Sequence, residues 1–246
     1  DKITLARIHL QLGIAGIRTG NFRLASDNLE SAIEMYRSMG FRRGEAAGLF
    51  YLSEFFLQEQ ALDNSWEFSD DARQIYSEIG DKIGETRTRF QQARILAASN
   101  EAMADTPDSD PANAGSADAG SADPGQTEYI LQELEQCRFQ FSALDDAYHA
   151  GLASMTIAEV MAKTHHSIRA VMTSLQEAES IFRNNGNIVE LIKCLCLQGV
   201  LGSTSSGMVN ARALYDQVVT LRSKNKIASD CLLEQEIDKL REIIAR

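Results

Sequence analysis

The sequence predicts an all-α superhelix of about five helical hairpins followed by a C-terminal capping helix, and three observations carry that prediction. A phrase is written twice, "YRSMGFRRGEA" from Tyr36 to Ala46 and "YSEIGDKIGET" from Tyr76 to Thr86, forty residues apart. Self-similarity at such a period marks a solenoid of stacked supersecondary units. Small residues that close short apolar runs recur on the same period: Gly13, Ser53 and Ala93 at steps of forty, then, after a longer step, Ala158 and Gly199 forty-one apart. Finally, the three prolines of the chain, Pro107, Pro111 and Pro124, fall in one segment, so nothing elsewhere breaks a helix, and no strand pattern appears.

The small residues have a physical reason. Two helices whose axes lie about 8–10 Å apart approach closely where one offers Gly, Ala or Ser to the other's ridge. Four of the five positions have a second small residue twelve places on, Ala25, Ser65, Ala170 and Ala211. A third follows at Ala32, Ala72 and, one place out of register, Ala178. An offset of twelve joins the middle of one helix to the early part of the next across a tight turn.

The elements follow in order. Helices over 3–19 and 22–39 form the first pair, joined at "RTGNF", where Gly20 ends one helix, Asn21 caps the next and Phe22 starts its buried face. Helices over 43–60 and 64–79 form the second, entered through "SMGFR" and left through "EIGDK". The third pair, 82–103 with 128–144, is split by "ADTPDSDPANAGSADAGSADPGQ" (104–126), which lacks aromatics, holds every proline and repeats "GSAD". That composition buries too little apolar surface to offset the entropy of ordering it, so the segment is expected to be disordered. Removing roughly twenty-five residues sets "RFQFSALDDAYHAG" against "ARQIYSEIGDKIGE", with Phe141 on Tyr76. The insert therefore sits at a turn inside a repeat, where extra length is tolerated, and residues 1–246 read as one solenoid domain. The fourth pair is 147–163 with 166–185, the fifth 188–202 with 207–224. A last helix over 227–245 contains "LLEQEIDKLREII", apolar and charged in helical alternation, as a cap with one wet face requires.

Composition narrows the function classes. The net charge is −11, but Asp105, Asp108, Asp110, Asp118 and Asp123 lie in the insert, and the remainder carries about −6. No basic run or aromatic–basic interleaving points to nucleic acid, and no apolar run approaches the roughly 20 residues of a bilayer span. Four cysteines without framework spacing read as free thiols in a reducing compartment, cytoplasmic or nuclear. Cys194 and Cys196 diverge on a helix, and His165-His166 adjoins nothing that completes a metal site, so neither metal nor cofactor is expected. The chain opens on Asp1, as an excised or processed segment would, and the apolar stretch Ile3–Ile17 suggests a neighbour packed before it.

"LGIAGIRTGNFRLASDNLESAIEMY" (Leu12–Tyr36) resembles a tetratricopeptide repeat through Leu12-Gly13, Gly20-x-Phe22, Ala25 and Ala32. The second repeat matches through Ser53, Ser65 and Ala72, the fourth and fifth through Ala158/Ala170 and Gly199/Ala211. His9 stands where the family has tryptophan, the terminal proline is missing, and a period nearer forty than thirty-four suggests the subclass with lengthened helices. The resemblance implies a superhelix whose concave face is lined by the first helix of each pair. It places Arg7, Leu10, Ile14 and Arg18 in the groove from the first repeat, and Phe50, Glu54 and Leu57 from the second. The third contributes Arg87, Phe90 and Arg94, the fourth Met155, Glu159 and Lys163, the fifth Lys193 and Val200.

On that placement the groove is more basic than the chain as a whole, with Phe50, Phe90 and Met155 as apolar anchors. Arginine holds a carboxylate through two parallel bonds, so a protein or peptide partner, an acidic one above all, is the expected guest. The chain then reads as a scaffold, adaptor or regulatory arm of a larger protein or complex. The alternative is a structural segment of an assembly, packed by its convex face and edges. Catalysis is not expected. "GSTSSG" (Gly202–Gly207) lacks a strand-to-helix elbow, His149, His165 and His166 show no spacing to it, and Asp145-Asp146 and Asp70-Asp71 read as charge at helix boundaries.

Overall fold

A computed structural model describes residues 1–104, 123–203, 210–227 and 231–245, and among these every regular element is helical. The helices are α1 (Lys2–Thr19), α2 (Phe22–Ser38), α3 (Arg42–Gln58), α4 (Leu62–Glu78), α5 (Lys82–Ala104), α6 (Pro124–Ala143), α7 (Ala147–Lys163), α8 (Ile168–Asn185), α9 (Ile188–Ser203), α10 (Ala211–Asn225) and α11 (Cys231–Ala245). The expected five pairs and terminal helix are all present. One boundary is corrected. The stretch 104–126 was expected to be disordered as a block, yet Ala104 ends α5 and residues 124–126 open α6. The Asp123 carboxylate accepts from the Gly125 amide at 2.9 Å and Pro124 takes the first helical position. Acidic cap followed by proline is a helix-start signal that the surrounding composition hid. Residues 105–122 lie outside the described residues.

Small residues set the hairpins. A methyl at Gly13 would stand 2.6 Å from Leu29, and one at Gly16 would stand 2.6 Å from the Ala25 backbone nitrogen, so α1 and α2 meet nearly backbone to backbone. In the second hairpin the contact is polar. Ser53 Oγ donates to the Ser65 carbonyl at 2.7 Å and Ser65 Oγ to the Ser53 carbonyl at 2.8 Å.

Between hairpins a common joint recurs. Four residues after Tyr36, Tyr76, Phe141 and Phe182 stand Gly40, Gly80, Asp145 and Gly186, with φ of 67°, 69°, 58° and 70°. Each turns the chain through the left-handed region that ends a helix. The aromatic four residues earlier is buried in every case.

The stacking order defines two layers. Consecutive odd helices α1, α3, α5, α7 and α9 touch one another in series, whereas the even helices meet only odd ones or α11. The odd helices therefore form an inner layer in mutual contact, and the even helices an outer one. Helix α11 packs on α9 and α10 and also touches α1, so the terminal helix bridges the last hairpin and the first helix. Apolar side chains fill the space between layers in three clusters: one over α1–α4, one over α5–α7 and one over α7–α11. In the third hairpin the packing is partly polar, with Thr86, Thr88, Gln91, Gln92, Asn100 and Thr127 all buried.

Candidate functional site

The repeated phrase builds a cavity. Tyr36 and Tyr76 each lie against a glycine eight residues on. A methyl at Gly44 would come within 2.5 Å of the Tyr36 ring, and one at Gly84 within 2.3 Å of the Tyr76 ring. Without those methyls each ring slides under the next inner helix. Both tyrosines then line a cavity of about 400 Å³ among α1, α3 and α5. Arg7, Gln11, Arg43, Arg87 and Asp81 form its polar wall, and Ile3, Leu10, Phe41, Ala47 and Ile83 its apolar one.

The charges around it are partly neutralised. Arg43 Nη2 lies 2.8 Å from Asp81 Oδ2, and Asp81 also caps α5 by accepting from the Gly84 amide at 3.1 Å. Arg87 Nη2 donates to Asp146 Oδ2 at 2.8 Å. Asp146 caps α7 and meets His149 Nδ1 at 2.9 Å. Burial works against ionisation of Asp146, but the hydrogen bonds from His149 and Arg87 outweigh it and hold the carboxyl below its ordinary value. Burial also holds the His149 imidazole below its usual range, despite the carboxylate beside it. Arg7 makes no ion pair among the described residues. Burial pushes both tyrosines above their ordinary pKa, with Arg7 opposing at Tyr36, and with Asp81 adding to the shift and Arg87 and Arg43 opposing it at Tyr76.

The other residues expected in the groove divide into three groups. Arg18 is exposed and Lys193 half-buried, and like Arg7 neither has an ion-pair partner among the described residues. Ile14, Phe50 and Met155 are half-buried and pack against the clusters between layers, as does Val200. Arg94, Glu54 and Lys163 are engaged. Arg94 Nη1 lies 3.8 Å from Glu54 and donates to Gln91 at 2.8 Å, and its guanidinium stands 5.9 Å from the Phe90 ring centre. Lys163 Nζ donates to Glu101 at 2.6 Å. Glu159 is half-buried near Arg94 and Lys163, and burial raises its pKa.

Two groups stand apart from the expected groove surface. Phe90 is 5% exposed and lies edge-on to Phe141 at 5.9 Å between centroids, inside the α5–α7 cluster. Leu10 and Leu57 are buried as well. The basic excess is also smaller than a count of residues suggests, because Arg87, Arg94 and Lys163 all meet carboxylates.

Tyr36, Tyr76, Arg43 and Asp81 were not among the expected site residues. The signal for them was the phrase itself, in which Tyr precedes Gly by eight places, a spacing that brings an aromatic ring under the following helix. Among the described residues no group of three or more His, Cys, Asp or Glu side chains is placed to hold a metal ion, and no helix is long and apolar enough to cross a membrane. No family model matches the sequence, and no curated protein matches it.

Proposed function

We propose that the chain is a non-enzymatic interaction module, a scaffold, adaptor or regulatory arm of tetratricopeptide type, that takes a peptide or partner helix along its inner face. The observation that supports this reading is the set of cations on inner helices with no ion-pair partner among the described residues, Arg7 and Arg18 on α1 and Lys193 on α9. Cations left unpaired on a concave surface steer and orient an acidic partner more than they stabilise a fold. Three buried thiols fit a reducing, cytoplasmic or nuclear setting. The test is affinity capture from a lysate with the wild-type chain and with Arg7→Glu/Arg18→Glu as baits. One specific prey should be held by the first and lost by the second. An identical set of prey for both baits would sink the reading.

A second reading, a segment packed within an assembly, has its own support. Leu5, Ile8 and Leu12 form a stripe on α1, each more than 40% exposed. Forty residues on, Glu45, Gly48 and Leu52 are buried, and a methyl at Gly48 would stand 2.5 Å from Ile33 of α2. The face of α1 that a helix like α2 would cover is open among the described residues. Sedimentation of the wild type and of Leu5→Lys/Leu12→Lys separates the readings. Self-association abolished by the lysines favours packing through this face, and a monomer in both cases favours the groove.

A further inference from the structure

We propose that the cavity under the first two joints is a binding site for a monoanionic carboxylate borne on a short apolar body. The cavity is complete within this chain and goes beyond the groove reading, since it needs no extended partner.

The hydroxyls point to it first. Tyr36 and Tyr76 are buried over their rings, both line the cavity, and neither hydroxyl has a hydrogen-bond partner among the described residues, so each keeps its accessible surface and its bonding capacity free. Hydroxyls left free on otherwise buried rings along a cavity wall can donate to a guest without breaking any bond within the protein. The comparison among joints strengthens the point. At the third and fourth joints the same position is filled by Phe141 and Phe182, both fully buried. The chain therefore carries hydroxyls at the two joints whose rings line the cavity, and plain rings at the two whose rings do not.

The cations specify the charge. Three guanidiniums, Arg7, Arg43 and Arg87, face two carboxylates, Asp81 and Asp146, which leaves one positive charge. Asp81 and Asp146 are each held by an arginine and by a helix N-terminus, so neither repels a guest freely. One net positive charge suits a monoanion better than a phosphate dianion, and donors on Tyr36, Tyr76 and Arg7 match the acceptor-only chemistry of a carboxylate. Ile3, Leu10, Phe41 and Ile83 offer an apolar wall to the rest of the molecule, and about 400 Å³ lies in the range of small-molecule sites.

The same group has two sources: a free small carboxylate, or the side chain of a glutamate in a docked peptide. NMR titration of the isotope-labelled chain distinguishes them, with hexanoate in one arm and N-acetylglutamate amide in the other. Hexanamide and N-acetylglutamine amide serve as neutral controls. At least one acid should saturate, moving amide signals at the starts of α1, α3 and α5, and its neutral counterpart should bind about tenfold more weakly or worse. Which acid saturates identifies the source. Tyr36→Phe/Tyr76→Phe keeps both rings on their glycines, so it preserves the fold, and it should weaken the acid about tenfold. Arg7→Gln should do the same. The proposal fails if neither acid saturates at tens of millimolar, if acid and amide bind alike, or if the phenylalanine pair leaves affinity unchanged.

Discussion

Tyr76 packs against Gly84, so close that a methyl added to the glycine would stand 2.3 Å from the ring. Tyr36 stands in the same relation to Gly44 at 2.5 Å. At the third joint the ring belongs to Phe141 and the eighth residue on is His149, with the rings 5.2 Å apart and tilted. The joint is one device with interchangeable parts: a buried ring, a left-handed residue four places on, and a residue beneath the ring whose size decides how far the ring slides inward.

Gly84→Ala should therefore force the Tyr76 ring or α5 to move. Overpacking of this kind costs about 1–3 kcal/mol. For a chain of this size each kcal/mol lowers Tm by about 2–4 °C. Thermal unfolding followed by circular dichroism measures the loss, and Gly20→Ala is a useful contrast. Gly20 has nothing within 4 Å of an added methyl but sits at φ 68°, so its cost comes from backbone conformation alone. An unchanged Tm for Gly84→Ala would mean that the ring is not seated as described.

The helices were legible in the sequence because close approach of backbones demands small side chains whatever the remaining residues are. Gly13, Ser53 and Ala158 announce their neighbours without any knowledge of the partner helix. The site was less legible. Arg87 and Asp146 are fifty-nine positions apart, and their 2.8 Å contact depends on how α5 and α7 stack across the split repeat. Register along one helix contains no such information. Phe90 shows the same limit. Its position suits the inner face, but Phe141 offers it an apolar neighbour between the layers, and burial prevails. Tyr36, Arg43, Tyr76 and Asp81 of the cavity wall were visible as a repeated phrase whose purpose needed the third dimension.

Ser53 and Ser65 bind each other's carbonyls while buried to 0% exposure. Other hairpins fill these places with Gly or Ala, so the serines are not needed for close approach. Changing one of them removes its own bond to the opposite carbonyl and the 3.2 Å contact between the two Oγ atoms, at about 0.5–1.5 kcal/mol, while the other hydroxyl keeps its carbonyl; the Oγ–Oγ contact is the part the two changes share. Ser53→Ala and Ser65→Ala should each lower stability, and the double variant should lose less than the sum. Denaturant unfolding of the four proteins gives the coupling. Strict additivity would show that the two hydroxyls act independently.

Cys137, Cys194 and Cys196 are fully buried. Burial pushes the Cys137 thiol up to about 11 and the other two up to about 12. Thiolate is the reactive form, so at neutral pH none of the three should react with a disulfide reagent until the chain unfolds. Their labelling rates, followed residue by residue by mass spectrometry, should track denaturant concentration. Rapid labelling of any of these three in the native protein would show that the packing between layers opens readily. Cys231, whose side chain is outside the described residues, serves as no part of this test.

Glu159 is an inner-face carboxyl whose ionised form burial disfavours. Burial raises its pKa above the ordinary 4.5; Arg94 and Lys163 oppose the shift, and Glu236 and Glu101 add to it. A carboxyl with a raised folded pKa binds its proton more tightly in the native state than in the unfolded chain. Its contribution to stability is therefore complete below 4.5 and is lost as pH rises through the folded value. Glu159→Gln keeps the shape and removes the titration. It should match the wild type in acid and exceed it in Tm at neutral pH, with the gap opening above the ordinary carboxylate range. Unfolding curves across a pH series measure that gap. A variant less stable than wild type at neutral pH would mean that the ionised carboxylate is held by Arg94 and Lys163 strongly enough to overcome its burial, and the inner face would then have to be read as a closed ion network with no cation to spare at that end.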